Sequence, residues 1–153
     1  MNFPHKAAAI LFLSAVSAST IGASLTTPAR AAEPFGTWLV EDKDGQIRIT
    51  NCGGALCGTL VWMKDPNDPE TGKPRLDKNN PDPSKQSRPM LGVQIILGMK
   101  PSGPNVWSGE VYNSNDGRTY SGSFTLLSDD TAALKGCVLG GLICKAQTWT
   151  RVK

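Results

Sequence analysis

Histidine is nearly absent from this 153-residue sequence; the one copy is His5. The first 31 residues join a short basic start (His5, Lys6), an apolar stretch from Ala7 to Val16 and small residues running to Ala29-Arg30-Ala31. That is the pattern of a cleaved secretory signal. A mature chain of residues 32–153 then has no histidine, which excludes Ser-His triads, Cys-His nucleophiles and histidine-held metals. Long apolar runs are lacking as well. The leader's apolar stretch is too short to span a bilayer and is broken by Ser14, Ser17 and Ser19, so no transmembrane segment is expected in the mature chain. An excess of one charge is also missing. Removing Lys6 and Arg30 from the 16 basic residues leaves 14 against 13 acidic ones, a net of +1 that gives no electrostatic case for nucleic acid.

What the chain does have is four cysteines, 52, 57, 137 and 144. In an exported protein an even number reads as disulfides, with periplasmic or secreted localisation. Two-residue hairpin turns at Gly54-Ala55 and Gly140-Gly141 place Cys52 opposite Cys57 and Cys137 opposite Cys144, within disulfide reach. A zinc site built from all four is the alternative, but neither spacing is the usual Cys-x2-Cys and export favours oxidation.

From residue 34 onward, short β-type runs alternate with turn signals, so the 32–153 segment reads as one all-β domain. Strands are expected at 35–42, 46–52, 57–63, 91–98, 106–113, 118–127, 131–138 and 143–152, with further turns at Asp44-Gly45, Asp116-Gly117 and Ser128-Asp129-Asp130. Registering each hairpin on its turn collects Trp38, Val40, Ile47, Ile49, Leu60 and Trp62 on one face. In this register Val40 meets Ile49, Trp38 meets Asn51, Ile49 meets Leu60 and Ile47 meets Trp62. The C-terminal half likewise gathers Trp107, Val111, Tyr120, Phe124, Leu126, Leu134, Val138, Ile143 and Trp149, with Gly109 and Gly122 making room. One apolar and one polar face on eight consecutive strands fit a closed, antiparallel up-and-down barrel, which also removes exposed edges. A two-sheet sandwich is the alternative.

A barrel of this size is filled by side chains or holds one small ligand. The candidate wall is Trp62, Trp107, Tyr120 and Phe124, and the polar anchors are Lys145 (opposite Gly136) and Gln147 (opposite Leu134), near Tyr120 and Asn51. Inward polar groups need partners, and a head group is one. The long 64–90 loop is a lid or a protein-contact surface. Within it Asp77, Asn80 and Pro81 fix local turns, as does Arg88 before Pro89. Its acidic residues fit no EF-hand spacing, so no metal or other cofactor is expected. No enzyme is expected, because Glu110 and Asp77, the available carboxylates, are not paired by any spacing.

Phe35-Gly36-Thr37-Trp38 and Gln147-Thr148-Trp149-Thr150-Arg151 resemble the Gly-x-Trp and terminal-arginine signature of lipocalin-like barrels. The resemblance implies that Arg151 covers Trp38 at a closed barrel end. A wider set resembles a bacterial family of small exported proteins catalogued as a domain of unknown function. It comprises Leu56-Cys57-Gly58, Val61-Trp62, Asp77-x-x-Asn80-Pro81-Asp82-Pro83, Arg88-Pro89-Met90-Leu91-Gly92, Trp107-x-Gly109, Tyr112 and Asp116-Gly117-Arg118-Thr119-Tyr120-Ser121-Gly122. Its similarity to lipocalins implies ligand binding without naming a ligand. Where many members have Gly-Tyr before the last hairpin, this chain has Gly136-Cys137, so the second cystine reads as a scaffold feature. The functional expectation is an exported protein that holds a small hydrophobic or amphiphilic ligand. The alternative is a periplasmic protein-interaction module such as a protease inhibitor, using an ordered segment near Glu33-Pro34-Phe35.

Overall fold

Period-2 alternation builds strands, and the computed structural model, which describes residues 33–153, forms eight of them there. They are β1 (Gly36–Leu39), β2 (Gly45–Asn51), β3 (Leu56–Met63), β4 (Gln94–Gly103), β5 (Val106–Asn113), β6 (Arg118–Leu126), β7 (Thr131–Val138) and β8 (Ile143–Arg151). The leader expected at residues 1–31 lies outside the described residues. Each strand pairs antiparallel with the next, and β8 returns to β1 through Trp38↔Arg151 and Leu39↔Thr150. That closure makes a barrel and removes the sandwich alternative.

The C-terminal half keeps the sequence-derived register: Trp107↔Phe124, Val111↔Tyr120, Leu134↔Gln147 and Gly136↔Lys145 all pair. Gly109 and Gly122 face each other, and a Cβ on Gly109 would stand 2.9 Å from the Met99 Cα. The space they leave is filled by Met99, fully buried on β4. β4 starts at Gln94 rather than 91, since the chain first turns at Gly92 (φ +95) and buries Val93.

The N-terminal half departs from the expected pairing. The first turn sits at Val40–Lys43, where the Lys43 amide donates to the Val40 carbonyl and Lys43 itself takes φ +58. Trp38 therefore meets Ile47 instead of Asn51, and Asn51, the last residue of β2, is exposed and accepts from the Gly54 amide. Ile47, not Ile49, meets Leu60. Both slips are by an even number of residues, so Trp38, Ile47, Ile49 and Leu60 keep their inward face. Trp62 does not. A bulge between Gln46 and Ile47 flips the alternation, pairs Trp62 with Gln46 and leaves it 41% exposed, while Met63 turns inward.

Both disulfides form, Cys52–Cys57 and Cys137–Cys144. Cys137 and Cys144 are opposite partners as expected. Cys52 instead lies in a four-residue turn, and the strand partner of Cys57 is Thr50. Among the described residues no helix is long and apolar enough to cross a membrane.

One end of the barrel is shut by aromatic packing. Phe124 is ringed by Trp38 (centroids 5.6 Å), Trp149 (6.2 Å) and Trp107 (6.3 Å). The Arg151 guanidinium lies 4.3 Å from the Trp38 ring centroid and donates to the carbonyls of Phe35, Glu33 and Asp129. Gly36, at φ +125, leaves room for it; a Cβ there would stand 2.9 Å from Arg151 Nη1. Trp38 Nε1 donates to the Pro34 carbonyl. Arg151→Met keeps the aliphatic stem but loses the fork, and is expected to cost about 1–2 kcal/mol. Arg151→Lys should recover only part of that, because an ammonium cannot serve three carbonyls and a ring face at once. An unfolding free energy unchanged in either variant would refute this account of the closed end.

Candidate functional site

Up-and-down topology puts the β1–β2, β3–β4, β5–β6 and β7–β8 connections together at the other end. There the barrel holds a cavity of about 540 Å³, within the size range of small-molecule sites. Its deeper wall is apolar, with Ile47, Leu60, Val111, Leu134 and Trp149; its rim carries Asp42, Asp44, Asn113, Ser114, Asn115 and Lys145.

The sequence-derived candidates divide among three places. Tyr120, Lys145 and Gln147 line the cavity. Trp107 and Phe124 belong to the closed half, where they fill the barrel rather than wall a ligand. Trp62 points outside and is withdrawn as a candidate, for the bulge described above. Gln147 accepts from Trp149 Nε1 at 3.3 Å, so the inward amide is tied to the cavity floor. The Tyr120 hydroxyl donates to Asp116, which holds that carboxyl below the usual carboxylate range and pushes the phenol up. Lys145 is exposed at the rim, with the end of its side chain free of any carboxylate within ion-pair distance among the described residues.

The long connection, residues 64–93, is folded onto this end. Its own ladder is short, with Asn67↔Pro74 and Leu76↔Pro89 as bridges, and Gly92 and Val93 clip it to Leu60. The main fastening is Asp77, a carboxylate fully buried in the loop. It accepts from Tyr112 Oη (2.6 Å), Asn80 Nδ2 (2.8 Å), Arg88 Nη2 (2.8 Å) and Arg88 Nε (3.0 Å). Burial alone would raise its pKa, but the three donors and the Arg88 charge together hold it below the ordinary range. Tyr112 is pushed up to about 12, first by burial and then by the bond to Asp77. Asn80 also accepts from the Asp82 amide, a local turn like the one expected; Pro81 between them is exposed.

Asn79 completes the seam by donating to the carbonyls of Ser114 and Asn115 in the β5–β6 turn. The two segments come so close that a Cβ on Gly117 would overlap the Asn79 carbonyl. Through these fastenings Met90, 7% exposed, is set into the cavity wall from the loop side.

Met90 and Tyr112 are the parts that reading for inward residues passes over. Tyr112 follows inward Val111 on β5, so alternation turns it outward, where an aromatic is out of place unless something covers it. That signal, an outward tyrosine in a chain with an unexplained long loop, was available in the sequence.

The segment near Glu33-Pro34-Phe35 is ordered, but Pro34 is buried and the carbonyls on either side serve Arg151. It acts as part of the closed end.

The family model described as an uncharacterized protein conserved in bacteria (DUF2147) matches residues 36–151. Protein HP1028 from the human pathogen Helicobacter pylori, described as belonging to the lipocalin family, is similar in structure, with a TM-score of 0.69 at 21% identity over 80% of this chain and 84% of that one. At that identity the likeness speaks for the fold. No curated protein matches the sequence.

Proposed function

Because the chain belongs to the bacterial family of uncharacterized proteins (DUF2147) and folds as a lipocalin-like barrel, we propose that it is an exported binding protein that holds one small hydrophobic or amphiphilic molecule in the barrel. The observation that carries this reading is the cavity of about 540 Å³, apolar at depth and polar at the rim. An apolar body would lie against Leu60, Val111, Leu134 and Trp149, and Lys145 with the Asn113–Asn115 turn would meet a polar head. The loop held by Asp77 would cover the bound molecule, with Met90 as its apolar contact. Two disulfides are consistent with an oxidising compartment.

The test is uptake of N-phenyl-1-naphthylamine, an uncharged fluorophore, by protein refolded free of lipid. Saturable emission approaching one probe per protein is the expected result. Native mass spectrometry of protein from an exporting host should show an added mass that denaturation removes. The absence of both uptake and an added mass would overturn the reading.

A further inference from the structure

The tip of the β7–β8 hairpin carries the three most exposed large apolar side chains among the described residues: Leu142 at 85%, Leu139 at 68% and Ile143 at 60%. From Gly136 to Cys144 no residue has a polar side chain. A water-facing hairpin turn normally draws on Asn, Asp or Ser at such positions. Here Leu139 occupies φ +51, a left-handed conformation that costs a leucine and that Asn or Gly would take more easily. The Cys137–Cys144 disulfide crosses the base of the tip, so the leucines stay on a closed hairpin. Below it stand Lys145, next to Cys144, and Lys135, two residues before Cys137, both exposed and neither in an ion pair among the described residues.

We propose that this hairpin docks shallowly into the surface of a phospholipid bilayer, with Leu139, Leu142 and Ile143 among the acyl chains and the two lysines at the level of the headgroup phosphates. Three features favour a bilayer over a protein partner. An apolar tip without polar side chains suits a medium that asks for no directional bonds, whereas a protein interface has a polar rim. Flanking lysines complement lipid phosphates and can reach them on flexible stems. Val138 and Ile143 line the cavity as well as the tip, so the apolar surface runs from the tip into the mouth. Asp42 and Asp44 on the neighbouring β1–β2 turn keep the rest of the rim in water and limit insertion to the hairpin.

Processed protein from an exporting host is floated with vesicles of phosphatidylethanolamine and phosphatidylglycerol. The expected result is co-flotation, weakened about tenfold or more by Leu142→Asp and less by Leu142→Ala. Leu127→Asp, on the β6–β7 connection at the opposite end and itself 59% exposed, should leave it unchanged. Near-UV circular dichroism confirms that each variant keeps the barrel, as substitution of such an exposed side chain should allow. Absence of flotation overturns the proposal, and so does flotation indifferent to Leu142→Asp. Concentration-dependent dimerisation that Leu142→Asp abolishes, without vesicle binding, would assign the tip to a second copy of the chain and overturn the bilayer. Cavity binding of the naphthylamine probe should be unaffected by Leu142→Asp, which separates the tip from the ligand reading.

Discussion

Asp77→Ala is expected to lower the unfolding free energy by about 3 kcal/mol and to free the long loop from the barrel mouth. The carboxylate is fully buried and receives four hydrogen bonds, two from Arg88 and one each from Tyr112 and Asn80. Removing one member of a buried charge pair leaves its partners without an acceptor, which typically costs about 3–5 kcal/mol for a wholly enclosed pair. Arg88 is partly exposed and can turn to water, so the lower end applies. Asp77→Asn keeps the shape and one acceptor but loses the charge that Arg88 faces, and it should fall between wild type and alanine. Urea unfolding with both disulfides intact measures these changes; a loss under about 1 kcal/mol for Asp77→Ala would mean that the loop is held by its backbone seams instead.

The same cluster sets both limits of a pH window. Asp77 has its pKa lowered on folding, so its contribution is full above the unfolded carboxylate range and is lost as acid protonates it in the folded protein. Tyr112 has its pKa raised from 10.0 to about 12, so its contribution is full below 10 and is lost as pH climbs toward 12. Stability should therefore be flat between roughly pH 5 and 9 and fall on both sides. Tyr112→Phe should reduce the alkaline decline without abolishing it, because Tyr120, whose phenol the bond to Asp116 also pushes up, shares it. The acid decline is shared with Asp68, Asp82 and Asp116, which are also held low by hydrogen bonds, and Asp77→Asn should reduce it without abolishing it.

The barrel was legible because apolar alternation has a period that the turns then anchor. Where the turn could be placed from Gly-containing or Ser-Asp signals, as on β5 to β8, residue partners followed, down to Lys145 opposite Gly136. Where the turn used Lys43 in a left-handed conformation, Asp44-Gly45 was the stronger sequence signal and misplaced the pairing, and Gly54-Ala55 did the same for β2 and β3, where the Cys52 amide donates to the Ala55 carbonyl and the turn centres one residue earlier. The bulge beside Gln46 left no mark in composition, and it alone put Trp62 outside. The cavity was legible in part for the same reason. Tyr120, Lys145 and Gln147 come from regular strands, whereas Met90, Ser114 and Asn115 reach it from a loop and a turn, where no periodicity constrains direction. Asp77 was read as a local turn residue because its acceptor role depends on Tyr112, 35 residues away.

Filling the cavity gives the largest expected change in binding. Gly136 lies on its wall, opposite Lys145, with a backbone conformation open to any residue. A Cβ there would meet Val111 Cγ1 at 3.5 Å and Tyr120 Cβ at 3.7 Å, ordinary contact distances, so the first atom of a new side chain fits. The rest of an indole ring at Gly136→Trp would extend into the space between Leu134, Val111 and Trp149. It should weaken naphthylamine uptake by about tenfold or more, since the lost apolar contact is of the order of one buried aromatic side chain. Stability should change by less than about 1.5 kcal/mol, because the ring enters existing space instead of a packed core. Gly122→Ala is the contrasting variant: its Cβ would stand 2.7 Å from the Lys135 carbonyl, so it should destabilise the barrel without being directed at the cavity. Uptake that survives Gly136→Trp would place the probe outside the barrel and turn the reading of this end toward its exposed surface.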